Sequence, residues 1–268
     1  MPEEGRFIHF LHALHLHRAQ TDLVHARVGE IDNRRAHEIF QTSTINALLE
    51  GVYDGDMTFG ELRQHGDFGL GTFNALDGEM IALEGEFFQI KSDGEVYPVE
   101  DDQKTPFAVV QYFEADTNFS IDTQIDFNQL KSKLESELPI HNFFYAIRID
   151  GLFKYMKMRS VPRQNPPYPQ LVDVVKNQPE FELFDVQGTL AGFRFPDYTQ
   201  GVNVPGYHLH FLSENRKSGG HVLDCHLING NLAAEHTSNF HMELPTQGAI
   251  LDADLSKDQS AAINQVEQ

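Results

Sequence analysis

Cysteine is nearly absent: Cys225 is the only one in 268 residues. An intrachain disulfide is therefore impossible, and so is a thiolate metal cage. Cys225 falls within an expected strand and reads as a small core residue, not a nucleophile. Basic residues are also scarce, 20 Lys and Arg against 40 Asp and Glu, for a formal net charge of −20. Nucleic-acid binding through phosphates needs clustered cations, so that class is set aside, and anionic membrane surfaces with it. No stretch approaches the length of a membrane span. Met1-Pro2-Glu3-Glu4 has neither a cationic start nor a long apolar run, so no signal peptide is expected and the cytoplasm is the default compartment. What the chain has in quantity is apolar and aromatic surface, 40% hydrophobic residues with 21 Phe, enough for one large globular domain or two small ones. It also has 14 histidines.

The most informative of these lie in Gly206-Tyr207-His208-Leu209-His210-Phe211-Leu212, followed by Gly219-Gly220-His221-Val222-Leu223. Side chains alternate faces along a strand, so His208 and His210 point one way and Tyr207, Leu209 and Phe211 the other. The polar, glycine-ended run from Ser213 to Gly220 reads as the connection of a β-hairpin. With Leu212 opposite His221, all three imidazoles share one surface. Three histidines without a thiolate are a usual way to hold a catalytic Zn²⁺ while leaving a coordination position open. The same residues also suit the half-solvated face of an ordinary sheet, and spacing alone leaves both readings standing. His226 is out of phase with His221 and is expected to point away.

Residues 1–40 form a histidine-rich extension containing His9, His12, His15, His17, His25 and His37. Phe7, Phe10, Leu11 and Leu14 recur at helical spacing there, but no acidic or thiolate partner completes a ligand set. Order is expected from Thr42-Ser43-Thr44, whose hydroxyls can cap a helix from Ile45 to Glu50 that Gly51 stops. Thr58-Phe59-Gly60-Glu61 has capping-box spacing. From Phe68 to Glu114 short strands alternate with turns at Asp77-Gly78, Glu84-Gly85 and Asp93-Gly94. Leu130, Leu134 and Leu138 mark a helix over residues 125–138 that Pro139 ends. Two strands, 143–150 and 152–160, are expected to hinge at Gly151.

Pro162, Pro166, Pro167 and Pro169 mark the clearest linker, dividing residues 41–160 from 161–268. Further strands are expected at 181–185, 189–195, 207–212, 221–228 and 232–243. Ser256 is the expected cap of a last helical turn, with Ile250, Leu251, Leu255 and Ile263 as apolar anchors of the tail. The fold class is α+β: sheet-rich mixed β with a few helices, in two similar β-sheet halves, the metal site on a hairpin of the C-terminal half.

From Gln41 to Gln268 the chain resembles alpha-acetolactate decarboxylase. The resemblance is carried by Gln41-Thr42-Ser43-Thr44, by Leu48-Leu49-Glu50-Gly51-Val52-Tyr53-Asp54-Gly55 and by His65-Gly66-Asp67-Phe68-Gly69-Leu70-Gly71-Thr72-Phe73. It continues through Leu76-Asp77-Gly78-Glu79-Met80, Arg159-Ser160-Val161-Pro162 and the histidine hairpin to Gly220-His221. The first forty residues lie outside it.

The resemblance implies a metal, zinc or another divalent ion, on His208, His210 and His221. It implies Glu79, Arg159 and Glu267 as catalytic residues, Arg159 also holding substrate, and Thr72 beside the substrate. Glu79 alternates in phase with the inward-facing Ile81 and Leu83, and an inward glutamate needs a cation or metal as partner. The implied reaction is decarboxylation of 2-acetolactate to (R)-acetoin and CO₂ through a metal-stabilised enediolate, a lyase step of acetoin and butanediol formation. A cytoplasmic homodimer acting on a small molecule is implied, with neither nucleic acid nor membrane as partner. Two other classes use the same histidines: a metal-dependent hydrolase in which a glutamate activates water, and a non-catalytic metal- or sugar-binding β protein.

Overall fold

The structure, a computed structural model, describes residues 37–267. The expected helix at residues 7–14 and the histidines from His9 to His25 lie outside the described residues. In chain order the strands are β1 (Glu38–Thr42), β2 (Met57–Thr58), β3 (Phe68–Thr72), β4 (Glu79–Leu83), β5 (Glu86–Ile90), β6 (Val96–Pro98), β7 (Lys104–Thr105) and β8 (Ala108–Gln111). They continue as β9 (Thr117–Ile121), β10 (Ile125–Asp126), β11 (Phe144–Arg159), β12 (Glu180–Phe195), β13 (Gly206–Ser213), β14 (Gly219–Thr237) and β15 (Asn239–Glu243). Among the described residues no helix is long and apolar enough to cross a membrane.

A seven-stranded sheet runs β15-β1-β8-β3-β4-β5-β6. Its β3 to β6 stretch is the expected meander, turned where glycine supplies positive φ, as at Gly78 (95°). The second sheet runs β10-β14-β11-β12-β13 with β9 also on β14, and β13 returns to β14, so β11, β12, β13 and β14 close into a ring. Period-two patterning sorts the core. Ile81 and Leu83 join Leu70, Val109, Ala146, Ala191 and Phe193 between the sheets, while Met80 and Ala82 pack with Phe40, Phe59 and Val110 on the outer face of the first sheet. The outer face of the second sheet, with Ile147, Ile149, Leu190, Leu209 and Phe211, buries Leu130 and Leu134 of the Phe127–Glu137 helix. That helix opens with a capping box on Asp126, and the Phe59–Leu62 turn opens with the one expected on Thr58.

Several expectations are corrected. Order does not start at Thr42: β1 begins at Glu38 and pairs with both β15 and β8. Gly151 is not a hinge between two strands but the middle of β11, and the segments expected at 181–185 and 189–195 are one strand, β12. The reason is cross-strand. Gly151 stands opposite Gly188 of β12 and Gly230 of β14, so the three glycines form one row across the sheet, and each looks like a break only when its own strand is read alone. The segment 232–243 is divided instead, β14 running to Thr237 and β15 crossing to the other sheet. β9, β10 and β11 belong to the second sheet and β15 to the first.

Candidate active site

Two adjacent strands, β13 and β14, bring the histidines together. In the β13–β14 hairpin His210 is directly opposite His221 and Leu212 opposite Gly219, so the expected Leu212–His221 pairing is two residues off. The turn is tighter than expected, closed at Ser213–Ser218 by the Ser213 amide donating to the Ser218 carbonyl (2.9 Å), with both glycines inside β14. A slip of two keeps side-chain parity, so the three imidazoles still share one face. Gly220 allows the approach: a Cβ there would lie 2.6 Å from the Arg159 carbonyl oxygen. On the other side His221 pairs with Arg159 of β11.

The ligand atoms of His208, His210 and His221 lie within 4.8 Å of one another, and all three residues are buried. His210 Nδ1 is 2.8 Å from the Met80 carbonyl oxygen. A carbonyl only accepts, so Nδ1 carries the proton and Nε2 presents a lone pair. That Nε2 is buried without a hydrogen-bond partner. Burial, then the Arg159 charge, pushes His208 down to about 3. Burial likewise holds His210 and His221 well below the usual histidine range, so all three rings are neutral. Neutral, buried, convergent imidazoles with an orphaned nitrogen fit a divalent ion.

Two carboxylates face them. Glu79 Oε2 is 3.7 Å from His210 Nε2, and Glu267 Oε2 is 3.5 Å from His221 Nε2 and 4.0 Å from His208 Nε2. Glu79 shares its strand face with Ile81 and Leu83, as its alternation predicts. Burial raises both glutamates to about 7; Arg159 opposes this in each, and Glu267 adds to it for Glu79. Arg159 is 3% exposed, and its Nε and Nη1 are buried without a partner. Thr72 stands opposite Glu79 in the β3–β4 pair, and its hydroxyl donates to the Gly78 carbonyl (2.6 Å). One pocket is lined by Thr72, Glu79, Arg159, His208, His221 and Glu267 together with Ile45, Leu48, Leu76, Phe107, Val161, Leu171, Val175 and Val266.

Residues 39–257 match the alpha-acetolactate decarboxylase family pattern. The chain belongs to the alpha-acetolactate decarboxylase family. An alpha-acetolactate decarboxylase of Methylococcus capsulatus is 54% identical over 258 residues, which cover 96% of this chain and 97% of that one. The Bacillus subtilis alpha-acetolactate decarboxylase is 44% identical, covering 81% of this chain and 86% of its own. The crystal structure of acetolactate decarboxylase from Bacillus subtilis subspecies spizizenii superposes with a TM-score of 0.84 at 42% identity, covering 86% of this chain and all of that one. The Methylococcus alignment leaves about ten residues of this chain uncovered, so the likeness to that decarboxylase extends into the first forty residues.

All seven residues expected at an acetolactate decarboxylase site therefore lie in or beside one pocket. Sequence reasoning did not find the Met80 carbonyl, because a backbone oxygen leaves no side-chain signature. It also did not single out the apolar wall. Leu48 sat inside a quoted motif, but Ile45, Leu171 and Val175 sit on short helices where an apolar residue reads as ordinary core. The tail differs in detail. Ile250 and Ile263 are buried as expected, but Leu251 is 70% exposed and anchors nothing. Ser256 caps no helix: its hydroxyl donates to Asp254, and the last helix begins four residues later, at Ser260.

Proposed function

We propose that this chain decarboxylates 2-acetolactate to (R)-acetoin and CO₂, with His208, His210 and His221 holding a divalent ion, zinc in the first instance. The observation carrying this reading is one buried cluster in a member of this family: a pocket lined by His208, His221, two protonatable carboxylates and an arginine with two unpaired donors, with His210 grouped beside it as the third neutral imidazole. The ion supplies Lewis acidity against which negative charge can develop as CO₂ leaves.

The residues supply the rest. The Arg159 guanidinium, with Nε and Nη1 buried and unpaired, binds the substrate carboxylate through its planar set of donors, and no other side chain lining the pocket is a cation. Ile45, Leu48, Leu76 and Phe107 receive the two methyl groups and keep water out. Breaking the bond to the carboxyl carbon leaves its electron pair on the substrate, as an enediolate across the former ketone and hydroxyl carbons. Converting that species to acetoin takes up one proton. A glutamate raised to about 7 is part protonated at neutral pH and suited to deliver it. Glu79 approaches the histidines from β4 and Glu267 from the end of the last helix, so delivery from one side gives a single product hand. They titrate as a pair. Thr72, its hydroxyl engaged by Gly78, shapes the wall beside Glu79. The same reading makes the enzyme a cytoplasmic homodimer of acetoin and butanediol formation.

The test is acetoin formation from racemic acetolactate, with and without a chelator, alongside model esters and amides. Chelator-sensitive release of one acetoin enantiomer is expected. Ester or amide hydrolysis without acetoin would replace this reading by the hydrolase one.

A further inference from the structure

The Glu50 side chain is only 15% exposed, yet it touches neither the histidines nor the pocket. Its carboxylate accepts from Gln259 Nε2 (2.8 Å), from Lys257 Nζ (3.3 Å to each oxygen) and from Gln170 Nε2 (3.5 Å). One turn earlier on the same helix, Asn46 Nδ2 donates to the carbonyls of Leu255 and Lys257, both at 3.4 Å.

Each segment meeting at Glu50 carries part of the pocket. Glu50 ends the Ile45–Leu49 helix, which lines it with Ile45 and Leu48. Gln170 precedes the Leu171–Val174 helix, which lines it with Leu171. Gln259 immediately precedes the last helix, its carbonyl accepting from the Ile263 amide (2.9 Å), and that helix ends at Glu267. At 1.5 Å per residue, the carboxylate therefore grips the tail about 12 Å before the glutamate that faces His221. Of this tail helix only Ile263 and Val266 are buried, so its seat depends on how its first turn is fixed.

We propose that Glu50 is a positioning residue that holds the tail helix closed over the site and so sets where Glu267 stands. This rests on the reading that Glu267 acts in the reaction. Glu50 contributes nothing to the chemistry directly; it works through Gln259 and Lys257.

The experiment compares full-length Glu50→Ala, Glu50→Gln, Glu267→Gln and the Glu50→Ala/Glu267→Gln double variant, each with metal. kcat and KM for acetolactate are measured with hydrogen exchange over residues 259–267 and over β13–β14. Glu50→Ala should speed exchange in the tail at least tenfold, leave β13–β14 unchanged and lower kcat at least tenfold, since small misplacements of reacting groups are costly. Glu50→Gln, whose amide oxygen still accepts from Gln259, should recover part of both effects. With Glu267→Gln present, Glu50→Ala should lower kcat no further. Tail exchange at the wild-type rate with kcat within twofold in Glu50→Ala would overturn the proposal, as would an equal loss in both backgrounds. Should Glu50→Ala fail to fold, Gln259→Ala removes the 2.8 Å bond from the other side and is judged by the same criteria. Full activity of Glu267→Gln would instead refute the role of Glu267, and tail exchange alone would then decide for or against the clamp.

Discussion

Replacing Glu267 by glutamine separates chemistry from stability, because the two should move in opposite directions. The substitution keeps the shape and removes the charge and the exchangeable proton. Turnover should fall by roughly 10²–10⁴, the range for one positioned acid–base group. Stability of the chelator-treated protein should rise at alkaline pH. Burial moves the Glu267 carboxyl from 4.5 to about 7 in the folded state. Between those values the folded chain holds a proton that the unfolded chain has released, so stability present below the unfolded value is lost as pH rises through the folded one. The full effect is on the order of 3 kcal/mol, or roughly 6–12 °C in Tm for a chain of this size. Glutamine escapes it, and its loss of charge also lets the Glu79 carboxyl fall. Melting scans of metal-free wild type and Glu267→Gln at pH 5 and pH 8 should therefore diverge far more at the higher pH. Near-normal kcat would refute the catalytic reasoning, and equal melting at pH 8 would refute the electrostatic reasoning. Deleting residues 266–268 is a poorer probe, since it also takes buried Val266 from the core at a cost of about 1.5–3 kcal/mol.

Changing His210 to Ala should remove bound metal and activity together, measured by elemental analysis and acetoin assay; full metal retention in a His208→Ala, His221→Ala double variant would exclude this site. Glu79→Gln should lower kcat with metal retained, and Arg159→Lys should lower kcat/KM at least tenfold, because a point charge does not reproduce a planar fork. A variant beginning at Ala36 keeps β1 and every residue of the pocket, so it should bind metal and turn over; loss of catalysis in a correctly folded truncation would assign the first residues a part in the site.

The facing of the site's strand residues was more legible than the fold, because strand parity alone decides it, while the choice of Arg159, Glu267 and Thr72 rested on the family resemblance. His208, His210 and Glu79 needed only the alternation of their own strands. Even the hairpin register, wrong by two, left His221 on the correct face. Strand continuity was not legible, because Gly151, Gly188 and Gly230 each resemble a turn until their cross-strand alignment is known. The tail was legible in part: Ile250 and Ile263 are buried as expected, but Leu251 and Ser256 have the right chemistry for an anchor and a cap and face solvent or a neighbouring aspartate. The apolar wall and the Met80 carbonyl depend on contacts between distant segments, which one sequence does not encode in any local pattern.

The pairing of His210 with His221, and of His221 with Arg159, means that the histidine triad is assembled by backbone hydrogen bonds of a closed sheet. His210 is oriented by a protein group, the Met80 carbonyl. In small zinc-dependent domains the ion creates its own binding geometry and the apoprotein is unfolded. Here, on the proposed metal reading, sheet pairing places the rings and the scaffold should form without the ion. Stripping should leave a folded, dormant protein that is reloaded by simple addition, so different divalent ions can be exchanged into one scaffold and compared, with refolding playing no part.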